Sequence, residues 1–327
     1  MPGYPAHRCC GGGESFFVLS AYFLTKKLSK TPEQEIKVIP QIKHRLSRLY
    51  PVYLLLILGV FGVVVLINNS WAITDFVCHL LFSQNINWMI NGYNSDMAVL
   101  TAHTWTLSIE VYLFIIWLIA FRCLRSRNQR LRFNFIVAIV AIAWRVVTVI
   151  WIADPMITSL CPIAHMDAFA LGSLLALYEN DGAFPKRKAV QYSFLFAGLA
   201  IIVFCISYTA LSNSCSLANA YRLYKTSASY LNNPYTCNVY LGFSLITAGL
   251  VLATKGISVS KVFTPFVMIG NVSYSAYLIH YPVNVLLLRV TDNRWIVFVI
   301  TIVLSVVAAL IIEQLLSKAR SVMKKQN

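Results

Sequence analysis

The sequence predicts an all-α fold, a polytopic bundle of transmembrane helices, and three observations carry that prediction. The chain is 58% hydrophobic and only 12% charged, with a mean hydropathy of +0.67, outside the range of soluble globular domains. Apolar runs of about 20 residues, the length that crosses a bilayer as a helix, recur along it. Lysine and arginine gather in short loops between those runs, as expected of cytoplasmic loops. The formal charge of +15 over 327 residues therefore reports orientation in a membrane, and no nucleic acid is expected as a partner. The eight cysteines are scattered, with no Cys-x-x-Cys and no Cys/His spacing for a zinc site, so no metal is implied.

Taken in order, residues 1–13 lack periodicity, and the run SFFVLSAYFL after them offers about ten apolar residues, roughly half a crossing. Residues 26–48 carry Lys26, Lys27, Lys30, Lys37, Lys43, Arg45 and Arg48 against Glu33 and Glu35, which marks a cytoplasmic loop. Residues 51–67 cross outward. Residues 68–102 are poor in Lys and Arg but hold Trp71, Trp88 and Tyr93, suiting an outer interfacial loop. Residues 103–119 return inward and end on Arg122, Arg125, Arg127, Arg130 and Arg132. Spans at 133–153, 161–178, 190–208, 238–254, 265–288 and 295–313 follow. The last delivers Lys318, Arg320, Lys324 and Lys325, and with them the C-terminus, to the cytoplasm. Eight full spans plus the short opening one make about nine, in a single domain over 1–327 with no repeat and no soluble segment. Cys215 and Cys237 share one external loop and could pair if that compartment is oxidising.

The stretch HTWTLSIEVYLFIIWLI, residues 103–119, organises the chain. A carboxylate at the centre of a membrane helix costs at least about 2.5 kcal/mol, so Glu110 has to line a cavity, meet a partner or do chemistry. Helical spacing puts Thr106 four residues before it and His103 seven before it, all on one face. A polar contact between neighbouring helices would explain the same stripe. Three further ionisable groups, Arg145, Asp167 and His280, lie on other spans at depths that let them converge with Glu110 on a water-poor cavity. Such a cluster can deprotonate a hydroxyl. A structural ion pair of Arg145 with Asp167 or Glu110 is the competing reading. At the cytoplasmic surface, Arg45 and Arg48 are three apart. Their guanidinium forks suit the phosphates of a cytosolic ligand, though ordinary topological charge would look the same.

The stretches SFFVLSAYFLT, HRLSRLYPVY, HTWTLSIEVYLF, HMDAFALGSLLA and NVSYSAYLIHYPV, in that order and spacing, resemble the acyltransferase 3 family of integral membrane acyltransferases over nearly the whole chain. The resemblance implies a bundle of about ten helices in the bacterial cytoplasmic membrane. It implies transfer of an acyl group, commonly acetyl, from cytosolic acyl-coenzyme A to a hydroxyl of a cell-envelope glycan or lipid-linked sugar. The family's Arg-x-x-Arg falls on Arg45 and Arg48, implying a coenzyme A role. Its His-x-Trp-Ser-Leu-x-x-Glu falls on His103, Trp105, Thr106, Leu107 and Glu110, with threonine in the serine's place. Its Tyr-Leu-x-His-x-Pro falls on Tyr277, Leu278, His280 and Pro282.

On this reading Glu110, His103 and His280 assist proton transfer, Arg45 and Arg48 hold the donor, and Trp105, Thr106, Arg145, Asp167 and Tyr277 support them. The family's first helix, with its histidine, has no counterpart here, since His7 sits in a Gly/Cys/Pro context. The native protein is accordingly expected to carry a further span before residue 1. The rival classes are a transporter or flippase of an anionic or lipid-linked substrate, whose buried charges form a relay, and an inactive membrane module.

Overall fold

The computed structural model describes residues 11–32, 35–68, 73–180, 187–226, 233–254 and 264–326, and among these every regular element is helical. In chain order they are α1 (Gly11–Leu28), α2 (Val38–Asn68), α3 (Ile73–Leu80), α4 (Gln84–Asn91), α5 (Asp96–Thr101), α6 (Trp105–Cys123) and α7 (Arg127–Trp151). There follow α8 (Pro155–Leu160), α9 (Met166–Asn180), α10 (Arg187–Ser212), α11 (Leu217–Thr226), α12 (Val239–Thr254), α13 (Thr264–Leu287) and α14 (Arg294–Gln326). Among the described residues, five helical stretches are long and apolar enough to cross a membrane: Val38–Leu66, Asp96–Cys123, Arg127–Trp151, Lys188–Ser212 and Arg294–Lys318. The protein is an all-α membrane-type bundle. Glu33 and Trp71, counted in the loop assignments above, lie outside the described residues, as does His7.

The helices fall into two compact units. The first gathers α1, α6 from Thr106 onward, and α7 to α12. The second gathers α2 from Ile42, α3, most of α4, α5 with the turn to Trp105, α13 and α14.

In the first unit, α1 runs for 18 residues, longer than the apolar run suggests. The polar residues that interrupt its pattern are bonded inside the unit. Ser15 shares a hydroxyl–hydroxyl bond with Thr247 at 2.8 Å, Ser20 reaches α6, and Thr25 donates to Ser173 Oγ at 2.9 Å. Its last turn closes on Glu179, which accepts from Lys26 Nζ at 3.2 Å and from the Tyr22 hydroxyl. Such polar contacts, with small residues that let backbones approach, hold helices together where lipid removes the usual hydrophobic drive. Ala168, Gly172 and Ala176 form that small-residue row on α9, with both alanines fully buried. A Cβ at Gly172 would stand 2.1 Å from the Val18 carbonyl oxygen, which is backbone and cannot swing aside. Gly172→Ala is therefore expected to destabilise the fold by at least about 1–3 kcal/mol. Gly59→Ala, inside α2 where nothing lies within 4 Å, is expected to unfold in detergent no lower than the parent, alanine being the better helix former.

The arginine-rich connection between α6 and α7 is built as a cap. Ser126 and Gln129 exchange the two bonds of a capping box at the start of α7, at 3.2 and 3.0 Å. Arg130 turns back so that its guanidinium donates to the carbonyls of Leu124 and Phe121 at 3.0 and 3.3 Å, satisfying the end of α6. Cations at a helix start oppose its dipole, so Arg130 answers to α6's open carbonyls and not to the start of α7.

In the second unit, the stretch that composition reads as a loop holds α3, α4 and α5. Their interior is polar. Tyr53 donates to the His79 carbonyl at 3.0 Å, Gln84 Nε2 to Tyr53 and Thr104, and Asn85 Nδ2 to the Trp105 carbonyl at 3.2 Å. His79 is fully buried, with Nδ1 2.6 Å from the Asp75 carbonyl and Nε2 2.8 Å from the Thr101 hydroxyl. Burial pushes its imidazole down to about 4, so in the folded state it stays neutral where an unfolded chain's histidine protonates. Stability is thus complete above the unfolded value and falls as pH drops from about 6.5 toward 4, the unfolded state taking up the proton first. A His79→Gln variant is expected to flatten that dependence in an unfolding titration. Cys215 and Cys237 are separate thiols.

Candidate active site

Glu110 sits on α6 with its side chain fully buried, and its Oε1 accepts the Ser20 hydroxyl of α1 at 2.7 Å. Thr106, one turn earlier on the same helix, is buried as well. His103 precedes the α-helical part of this stretch. The α-helix begins at Trp105, and Ala102–Thr104 is a 3₁₀ turn, so His103 joins α6 through a more tightly wound backbone. His103 belongs to the second unit and Glu110 to the first.

Within the second unit His103 is buried among aromatic rings of α13. Its ring centroid lies 5.3 Å from Tyr277, 5.5 Å from His280 and 4.9 Å from Tyr281, the last in a stacked arrangement. Tyr277 donates its hydroxyl to the His103 carbonyl at 2.7 Å, and His103 Nε2 lies 3.0 Å from the Leu278 carbonyl. A carbonyl only accepts, so Nε2 carries a hydrogen. His280 Nδ1 stands 2.5 Å from the Tyr277 carbonyl and by the same rule carries its own. The two imidazoles therefore carry these hydrogens on opposite ring nitrogens, Nε2 of His103 and Nδ1 of His280. Tyr281 and the 3₁₀ turn are absent from the sequence expectations, because neither leaves a periodic signal.

Arg45 and Arg48 lie on α2 of the same unit, Arg45 half-buried and Arg48 exposed. Arg45 is within electrostatic range of both Arg48 and Tyr274. Tyr274, on α13, donates to the Leu49 carbonyl at 3.0 Å and so ties this end of α2 to the helix that carries His280. The six residues from Tyr274 to His280 span about 9 Å of helix.

Arg145 and Asp167 are paired in the first unit. Arg145 grips the carboxylate with both ends of its fork, Nη1 to Oδ1 at 3.0 Å and Nη2 to Oδ2 at 2.5 Å, and both side chains are fully buried. Its Nε donates to Asn238 at 2.8 Å and Nη1 also to the Ala164 carbonyl. The ion-pair alternative is thus the arrangement present for these two residues.

Beside them stands a pair with no counterpart in the sequence reading of the site. Glu14 Oε1 lies 2.5 Å from His165 Nδ1, and Glu14 Oε2 accepts from Ser244 at 3.3 Å. His165 Nε2 faces the Ser159 carbonyl at 2.7 Å, which fixes a hydrogen there. One further proton is therefore shared between Glu14 and His165, and with Arg145 and Asp167 the four side chains close in charge. Glu14 carries no local signal: it follows three glycines, and its partner is 151 residues away. Among the described residues, no group of three or more His, Cys, Asp or Glu is placed to hold a metal.

Comparison with known proteins agrees with the motif pattern. The acyltransferase 3 family model, described as an acyltransferase domain, matches residues 15–314. The chain is similar to the O-acetyltransferase OatA of Staphylococcus aureus, 23% identical over 292 residues in strains NCTC 8325 / PS 47, COL and MRSA252. The match covers 84% of this chain and 46% of those proteins, so the chain spans about half the length of the curated relatives it matches. No solved structure matches.

Proposed function

Because the chain belongs to the acyltransferase 3 family, we propose that it moves an acetyl group from cytosolic acetyl-coenzyme A to a hydroxyl of a cell-envelope glycan or lipid-linked sugar. The observation that carries this reading is in the second unit, where α13 joins an arginine pair at one level to a histidine pair about 9 Å further along the helix. That is the order a long thioester donor needs: phosphates at Arg45 and Arg48, reacting carbonyl toward His103 and His280.

A histidine lone pair takes the proton of the acceptor hydroxyl as its oxygen attacks the thioester carbonyl. The C–O bond forms, the C–S bond breaks, and the proton is handed to the departing coenzyme A sulfur. Glu110, held by Ser20, supplies buried negative charge and basicity, and Thr106 a hydroxyl in the serine's place. Within the first unit the Arg145–Asp167 and Glu14–His165 pairs tie α1, α7, α9 and α12 together. The relatives' name, O-acetyltransferase, supports acetyl as the group moved and an oxygen as the acceptor atom.

Purified membranes given labelled acetyl-coenzyme A are expected to place the label in alkali-labile ester linkage. A transporter or flippase would move its substrate and form no ester. Donor binding offers a separate check. The Arg45→Lys/Arg48→Lys double variant keeps the charge and loses the forks, so it is expected to bind coenzyme A at least about tenfold more weakly, ~1.4 kcal/mol. Unchanged affinity would return the pair to a purely topological role.

A further inference from the structure

We infer that Pro282 is a positioning residue that sets the protonation pattern of His103. The inference rests on the acyl-transfer reading for its consequence in catalysis, but not for its geometry. In an α-helix the N–H of residue 282 would donate to the carbonyl of residue 278. Pro282 lies inside α13 and has no N–H, so it leaves the Leu278 carbonyl without its partner in the helix. An orphaned carbonyl in a buried segment needs a donor from elsewhere. His103 provides it, its Nε2 lying 3.0 Å from that oxygen. Leu278 and Pro282 are both buried, so water does not compete for the position.

Two features of the surroundings keep the ring there. Tyr277, beside Leu278 on the same helix, donates its hydroxyl to the His103 carbonyl at 2.7 Å and anchors the backbone of the 3₁₀ turn. Tyr281, the residue before the proline, stacks on the imidazole with centroids 4.9 Å apart and an interplanar angle of 25°. The Tyr-Leu-x-His-x-Pro stretch is thereby accounted for physically: the tyrosine holds His103's backbone, the proline frees the carbonyl, and the carbonyl takes the Nε2 hydrogen. When neutral, a ring held this way has its lone pair on Nδ1, the tautomer in which Nδ1 can accept the acceptor's proton. With an N–H at 282, the Leu278 carbonyl would return to its own helix, and His103 would lose the bond that selects this tautomer.

The test sets activity against stability. Proline inside a helix costs about 3 kcal/mol relative to alanine, so Pro282→Ala is expected to fold and insert at least as well as the parent. Its kcat is expected to fall by about tenfold, part of the ~10² to 10⁴ that a placed base contributes, with the KM for acetyl-coenzyme A unchanged. A role confined to shaping α13 predicts the opposite coupling, with activity following stability. The second readout needs no turnover. In protein with ¹⁵N-labelled imidazoles in lipid nanodiscs, the His103 resonances, assigned by their loss in His103→Gln, should show protonated Nε2 and unprotonated Nδ1. In Pro282→Ala they should show a mixture of tautomers. A His103 protonated on Nδ1 in the parent, or a Pro282→Ala variant with the parent's kcat and tautomer, overturns the inference. If the parent transfers no acetyl, the function proposed above falls, while the tautomer measurement still decides this one.

Discussion

Glu110→Gln is expected to leave the protein inserted and folded while reducing acetyl transfer by about 10²- to 10⁴-fold, the range attributed to a positioned acid or base. The amide has the carboxylate's volume and can still accept the Ser20 hydroxyl, so the α1–α6 contact survives. The charge and the basicity do not. Glu110→Asp should fall between the two, since it keeps the charge and withdraws it by one methylene from Ser20. The outcome that returns Glu110 to a helix-packing role is parental turnover by the glutamine variant at parental thermal stability.

The second large effect is on stability. Arg145→Met leaves Asp167 buried with its fork of donors removed, and breaking such a pair from one side costs about 3–5 kcal/mol. Asn238 and the Ala164 carbonyl lose their donor in the same substitution. Folded protein recovered from membranes should drop steeply. Arg145→Met/Asp167→Leu is expected to regain most of the loss, because two apolar side chains of similar volume remove both desolvation penalties. Equal destabilisation by the single and double variants, read by thermal unfolding in detergent, would mean that the charges contribute through something other than each other.

These residues also mark how far the sequence could be read. Arg145 and Asp167 were legible because an ionisable group within an apolar span must find a partner, and few candidates exist. Their company was not. Glu14 and His165 neutralise one another across 151 residues, a separation that no local pattern records, and the short apolar run after Glu14 disguises an 18-residue helix. The same holds for Ser20, an ordinary interruption in an apolar run until its partner turns out to be Glu110. His103 is legible by its motif, but the 3₁₀ turn at residues 102–104 that carries it into α6 leaves no periodic signal. The stretch 68–102 reads from composition as a loop, yet the candidate span Asp96–Cys123 begins within it. Its three short helices are held by buried polar groups such as His79, Gln84 and Asn85, which hydropathy counts against order. What sequence patterns follow well here is solvent preference along the chain. What they miss is polar residues whose partners are distant.

The sidedness of the reaction tests the account most directly. Inverted membrane vesicles, with their cytoplasmic face outward, can be given labelled acetyl-coenzyme A that does not cross the bilayer. Alkali-labile acetyl ester is expected on acceptor enclosed in the vesicle lumen, formed by the parent protein and strongly reduced in Glu110→Gln. Ester formed only when acetyl-coenzyme A is sealed inside, or substrate crossing with no ester formed at all, would contradict the account.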